Sequence, residues 1–364
     1  MTARARLAAG ALLALGATVG LAQAAPAEPT GRVVFARGGS LWMTDGRGKA
    51  APVVIATLPV EASDVRYLRT DAAGDTILAD LAGRWFWLRT PAAGTTTTLT
   101  ELPCASGAAR LSPGGEYVLC SSADSHALIV RLRDGAQFVR NDAPATGASL
   151  TERDGQRELV FLSNGAIVAG ALKTGAETRV VAAEAPLRGL VASPNGARGV
   201  GVYKAPPVGQ PKVADPRDQL SAFALDGVAA RRRLIRDGVV LDWSADSAWL
   251  LIQDGGKACI ARAVGGEYKC WKGFTAVSLA PDGAWALVLG PRDAATETDA
   301  ASPPVGNGGE GADGGEGVLD DAAVALPTGP LSLYRAKLGG AYTEKPATLE
   351  KLVDGAAVWL PPAR

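Results

Sequence analysis

The chain offers one candidate base for nucleophilic catalysis. His126 is the only histidine among its 364 residues, and Ser121, Ser122, Asp124 and Ser125 surround it. These are the residue types of a hydrolase centre, but a triad is assembled by geometry across a fold rather than by neighbours in sequence. No G-x-S-x-G elbow and no strand–helix phosphate loop accompanies them. The expectation for His126 is a solvent-facing loop position. A single histidine also excludes a metal site that takes two imidazoles from one chain. The other route to chemistry is a set of carboxylates from distant segments. Asp64, Glu152 and Asp242 fall on or beside runs expected to lie innermost in the fold. Hydrogen bonding to neighbouring groups is their expected role. A hydrolase or lyase site built from acids or a metal at a channel mouth is the alternative. No catalytic residue, cofactor or metal ligand is assigned.

Four cysteines come in two local sets, Cys104 with Cys120 and Cys259 with Cys270. The N-terminus explains why they would oxidise. Arg4 and Arg6 precede an apolar run from Leu7 to Leu21, and Ala22-Gln23-Ala24 offers an A-x-A cleavage site. That is the pattern of a secretory signal peptide over 1–24, too short and too glycine-broken to span a bilayer. The mature chain is expected to cover 25–364 as a single domain, periplasmic or secreted and not membrane-inserted. An even cysteine count in an oxidising compartment predicts two disulfides. Four cysteines allow three pairings, and sequence does not choose among them. Zinc is the weaker reading, because neither set has C-x-x-C spacing.

Helical periodicity is nearly absent, and a short β-rich unit recurs instead. A turn precedes an aliphatic strand at Asp71–Gly74, Ser112–Gly115, Arg153–Gly155, Ser193–Gly196, Ser244–Ser247 and Ala280–Gly283. The last residues of these turns are spaced 41, 40, 41, 51 and 36 apart. A period near forty is the mark of four-stranded repeats. A second set of turns interleaves with the first, at Gly46, Gly94, Gly135, Gly175, Gly227, Gly266 and Gly340. Seven of these imply seven sheets. Arg32–Ala36 reads as a second strand without a first, and Ala356–Leu360 as a first strand without a second. The last strand is therefore expected to complete the first sheet. The fold predicted is all-β, a seven-bladed β-propeller of four-stranded antiparallel blades closed by its C-terminal strand.

The segments LSPGGEYVLC, ASPNGARGVGV and LAPDGAWALVLG resemble the S-P-D-G repeats of the TolB-like, WD40-like propellers. The resemblance covers nearly all of the mature chain, at the level of the repeat. It implies an exported propeller engaged in protein–protein interaction. Similar repeats build the propellers that precede the hydrolase domain of prolyl-oligopeptidase-type enzymes. Two departures stand out: seven blades rather than the six common in TolB-like propellers, and no Gly-His or Trp-Asp signature of WD40 repeats.

Two insertions, 205–218 and 291–330, fall between second and third strands, in the fifth and seventh blades. Both are expected on one face, together with Cys104, Cys120 and His126, and loops held on a rigid scaffold are where binding residues concentrate. From Asp293 to Asp321 the larger insertion carries eight acids and no base. Without the 293–321 stretch and without the leader, the body has a charge of +6. A solvated acidic loop is the expectation; folding over Arg231, Arg232 and Arg233 is the alternative. Gly308–Asp313 opens like a calcium-binding repeat, but Gly315 stands where a large apolar residue belongs.

Lys+Arg and Asp+Glu are both 37 in the full chain, so nothing in the charge suggests a nucleic-acid partner. Hydrophobic residues at 47% exclude a disordered chain. The eight tryptophans fall mostly in strands and read as blade packing. The function expected is a non-catalytic, monomeric protein-binding scaffold whose partner is another envelope or secreted protein. The third reading is a carbohydrate or small-ligand binder, which would need exposed aromatic residues on one face.

Overall fold

The computed structural model describes residues 29–61, 64–92, 94–105, 107–182, 187–204, 218–226, 232–235, 238–265, 268–281, 283–291, 331–338 and 346–362. The signal segment, nearly all of both insertions, the Gly308–Asp313 motif, Arg231, Gly227, Gly266 and Gly340 lie outside the described residues.

Each β-rich unit of the sequence forms one antiparallel sheet, and the described strands make seven four-stranded sheets. Six of them run from an innermost strand outward in chain order. Their inner strands are Val65–Thr70, Arg110–Leu111, Ser149–Arg153, Leu187–Ala192, Val239–Trp243 and Thr275–Leu279, in blades 2 to 7. Blade 1 takes its inner strand, Ala357–Leu360, from the other end of the chain. That strand pairs with Arg32–Arg37, setting Val33 opposite Trp359 and Val34 opposite Val358. This is the closure expected from the two incomplete ends of the repeat pattern.

Burial follows from the architecture. A blade is covered on both faces by its neighbours, so second strands read as continuous apolar runs rather than alternating ones. Thr76–Leu81 is buried at every position, as expected for a strand packed on both sides. The buried side chains gather in seven clusters, each shared by two successive blades. One joins blades 1 and 2 through Val34, Val358, Ile77 and Leu81. Another joins blades 7 and 1 through Leu287, Leu333, Phe35 and Trp359. A third joins blades 5 and 6 through Val200, Leu220, Val240 and Trp243. The clusters between the remaining neighbours complete the circuit. None of the eight tryptophans is exposed, in line with the packing role read from their strand positions.

The turns that mark the repeat hold themselves by one device. The N–H of the fourth residue donates to the carbonyl of the first, as in Gly115 to Ser112 at 2.9 Å and Gly196 to Ser193 at 2.8 Å. In four of the five four-residue turns the first side chain then accepts the N–H two residues past the turn; Ala280, which opens the fifth, has no side-chain acceptor. Ser112 takes Tyr117, Ser193 takes Arg198, Ser244 takes Trp249 and Asp71 takes Thr76, all within 3.1 Å. The fourth residue has positive φ, +69° at Gly115, where glycine carries no steric penalty. Blade 4 departs from this rule. Asp154 and Gly155 both have positive φ, and Arg153 pairs directly with Gln156. This is a two-residue hairpin of the primed type, not the four-residue turn of the other blades.

Candidate functional site in the central channel

The inner strands all run the same way through the ring. Their first residues lie at the end that receives the blade-to-blade links, here the link end. Their last residues lead into the repeat turns at the opposite, turn end. Among the described residues, two cavities lie along the channel between them. The larger, about 160 Å³, reaches the turn end, where Ala72, Pro113, Pro194, Ala245 and Pro281 project from five turns. The smaller, about 20 Å³, lies toward the link end beside Arg66, Thr275, Ala276 and Ala356. Arg69, Leu241 and Asp242 wall both and so stand at the constriction.

The repeat explains why these residues reach the channel. In the five blades with four-residue turns, the residue two before the turn is Arg69, Arg110, Val191, Asp242 or Ser278, and every one lines the larger cavity. Equivalent positions in five blades thus form one layer, three of its members charged. Register shifts in the inner strands adjust their aim. The partner order jumps at Arg66 in blade 2, Gly189 in blade 5, Leu241 in blade 6 and Val277 in blade 7. An extra residue of this kind re-aims the side chains beside it.

Arg69 Nη1 stands 3.9 Å from Asp242 Oδ1, reaching across the channel from blade 2 to blade 6. That is an ion pair without a hydrogen bond. The Asp242 carboxylate accepts instead from the Trp243 backbone N–H at 2.8 Å. Burial pushes its pKa up from the ordinary aspartate value, against the pull of Arg69, the Trp243 N–H, Arg110 and the Leu279 N–H. Roughly a third of the side chain, 36%, stays accessible, and it lines both cavities. On the neighbouring wall Arg110 Nη1 donates to the Ala148 carbonyl and to Ser149 Oγ, both at 2.9 Å. Asp71, the other acid of the larger cavity, is also pushed up by burial, while the Thr76 N–H holds it down. Trp243 is 6% exposed and lines the same cavity. Its indole Nε1 is buried with no acceptor among the described residues.

The carboxylates suggested by sequence do not converge. Asp242 faces the channel, but Glu152 is exposed at the turn end, its N–H donating to the Pro194 carbonyl. Asp64 is exposed at the link end, where its carbonyl accepts Ala82. Among the described residues no three His, Cys, Asp or Glu gather as a metal site. His126 opens the third strand of blade 3, and its neighbours serve the turn before it. Ser122 Oγ accepts the His126 N–H at 3.1 Å, and Ser121 Oγ donates to the Ser122 carbonyl. Arg69 and Arg110 escaped the sequence reading, although their position two before a repeat turn was a usable signal.

The cysteines pair locally. Cys104, on the link from blade 2 to blade 3, is bonded to Cys120 with the Cα atoms 5.7 Å apart. Cys259 and Cys270 face each other on the third and outer strands of blade 6, with Cα atoms 4.1 Å apart. The third strand ends at Arg262, and the outer strand is described from Tyr268. Two disulfides are consistent with an oxidising compartment. No helix among the described residues is long and apolar enough to cross a membrane.

No family model matches the chain, and no curated protein matches it. Solved structures similar to it include Kuenenia stuttgartiensis hydrazine synthase, at 12% identity and a TM-score of 0.41 over 62% of this chain and 73% of that one. Another is dihydro-heme d1 dehydrogenase NirN in complex with DHE, at 16% identity and a TM-score of 0.40. There the match covers 66% of this chain and 55% of the other. Likeness at this level says nothing of activity.

Proposed function

We propose that the chain is an exported, non-catalytic propeller that binds another envelope or secreted protein on its link end. The observation behind this reading is where the insertions are rooted. In blade 5 the second and third strands stay paired as far as Lys204 opposite Asp218. In blade 7 they stay paired as far as Pro291 opposite Leu331. Both stems therefore leave the ring at the link end, where the Cys104–Cys120 bond also anchors a link. A closed ring with apolar packing at every blade junction is a rigid platform for such loops. The likeness of the repeat turns to those of TolB-like propellers supports the same reading.

The test is an affinity capture from envelope and secreted fractions. One bait is the mature chain; in the other a two-residue turn replaces 292–330. Because Pro291 and Leu331 are direct partners, that turn joins them without altering the pairing of blade 7. A partner held by the intact bait alone is the expected result. Equal capture by both would place the docking surface elsewhere, and no specific partner would overturn the reading.

A further inference from the structure

We propose that the larger channel cavity is a binding site for a small oxyanion, a carboxylate or phosphate group gripped by Arg69 and Arg110. This site lies at the other end of the channel from the docking surface above and stands independently of it.

The argument begins with unanswered donors. A guanidinium carries five N–H donors and no acceptor. The polar partner of Arg69 among the described residues is Asp242, and at 3.9 Å that contact is too long for a hydrogen bond. The Arg69 side chain is 27% accessible, and the space it borders is the two cavities it lines. Arg110 comes from the adjacent blade, at the equivalent repeat position. Its anchorage on Ala148 and Ser149 fixes the group on the cavity wall. Two guanidiniums on adjacent walls form a donor set for an oxyanion, which accepts several hydrogen bonds from different directions.

Size and surroundings narrow the class. A water needs roughly 10–15 Å³ on the same measure, so 160 Å³ admits about ten waters or one small organic acid. The alanines and prolines of the turns rim the mouth with apolar surface, and a low-dielectric rim strengthens charge pairing inside it.

Asp242 is the internal competitor. The charged groups lining the cavity are Arg69, Arg110, Asp71 and Asp242; Arg66 belongs to the smaller cavity. Asp71 is engaged by the Thr76 N–H and the Thr70 hydroxyl, which leaves Asp242 as the acid opposed to Arg69. An arriving anion replaces the Asp242 carboxylate as the partner of Arg69, and the carboxyl then takes up a proton. Binding is thereby coupled to proton uptake, so affinity rises as pH falls.

Titration calorimetry on the mature chain with succinate, inorganic phosphate and glucose tests this. At least one of the two anions is expected to bind with a Kd of about 1 mM or tighter, and glucose is expected not to bind. Succinate alone would assign a carboxylate ligand, phosphate alone a phosphate ligand, and both an oxyanion site in general. Arg69→Gln and Arg110→Gln should each weaken binding at least about tenfold. Asp242→Asn keeps the side-chain shape and removes the competing charge. It should tighten succinate binding about tenfold at pH 8 and flatten its pH dependence. A gain of affinity is an effect that loss of fold does not mimic. Absence of binding by either anion at about 10 mM, equal binding by the Arg69→Gln variant, or weaker binding by Asp242→Asn would overturn the proposal.

Discussion

Arg69 and Asp242 meet across the channel, one from blade 2 and the other from blade 6, at 3.9 Å. The two positions are equivalent in the repeat, each two residues before a turn, so a recurring unit has placed opposite charges at one level of the ring. The pair is loose and the carboxyl is held in a poorly solvated place, which makes it a source of pH-dependent stability.

Its sign is fixed by the direction of the shift. The pKa of Asp242 is raised in the folded chain, mainly by burial. Between the unfolded value and the raised one the native state binds more protons, so stability falls as pH rises through that window. Asp71 and Asp80 are raised by burial as well and act in the same direction. Thermal melts from pH 4 to 8 should show Asp242→Asn more stable than the parent at the upper end, with a flatter slope. Parallel slopes for the two proteins would show that ionising this carboxyl costs the fold nothing.

Blades 4 and 5 are stapled by an arginine. Arg179 Nη2 donates to Glu158 at 2.7 Å, and its Nη1 donates to the Leu225 carbonyl of the next blade at 2.6 Å. The Glu158 side chain is only 6% accessible. Arg179→Ala should cost about 3 kcal/mol in denaturant unfolding, since it leaves a buried carboxylate without its opposite charge and with only the Thr178 hydroxyl as a side-chain donor. Arg179→Met with Glu158→Gln should cost clearly less. Equal losses would assign the effect to packing alone.

The closing strand should carry an outsized share of stability. Trp359 is fully buried, donates Nε1–H to the Thr30 carbonyl at 2.9 Å and packs in the cluster between blades 7 and 1. Trp359→Ala should destabilise by about 4 kcal/mol. A change below about 1 kcal/mol, read from urea unfolding, would show that the ring holds without this seam.

The turns can be tested at Gly115. Gly115 has φ +69°, and a Cβ there would lie 2.6 Å from Asp71 Oδ2. Gly115→Ala should cost about 2 kcal/mol through strain and displacement of Asp71. Ser247 occupies the equivalent position with φ +59°, and its hydroxyl accepts the Asn195 N–H at 3.3 Å. Ser247→Gly should therefore be close to neutral, backbone relief offsetting the lost bond. A thermal shift as large as that of Gly115→Ala would refute the comparison.

Reduction should loosen the link end first. Removing the Cys104–Cys120 bond by a double alanine substitution should lower stability by about 3 kcal/mol, and a reducing agent should lower the melts of the parent at least as far, because it opens Cys259–Cys270 as well. Identical melts under both conditions would show that the link is held by packing alone.

What the sequence disclosed was whatever repeats. The turn residues, the two incomplete end strands and the paired cysteine spacings are local signals, and each carried through to the blades, the seam and the bonds. Arg153–Gly155 resembles the other turns in sequence because Asp-Gly serves both turn types; only the φ of Asp154 separates them. The channel was legible in principle and missed in practice. Arg69, Arg110 and Asp242 are distant along the chain, and only closure of the ring brings them to one level. Insertions stand out by composition, whereas a charged residue inside a short strand does not. The larger cavity consequently lies at the end opposite the one that the loops singled out.

The pairing of Arg32–Arg37 with Ala357–Leu360 sets an order of events during synthesis. The first sheet begun is the last one finished, because its inner strand lies more than three hundred residues downstream. Until that segment emerges, Val33, Val34 and Phe35 line an open edge, a template for pairing with other chains. A nascent chain therefore stays vulnerable along its first-made strand for the whole of its elongation.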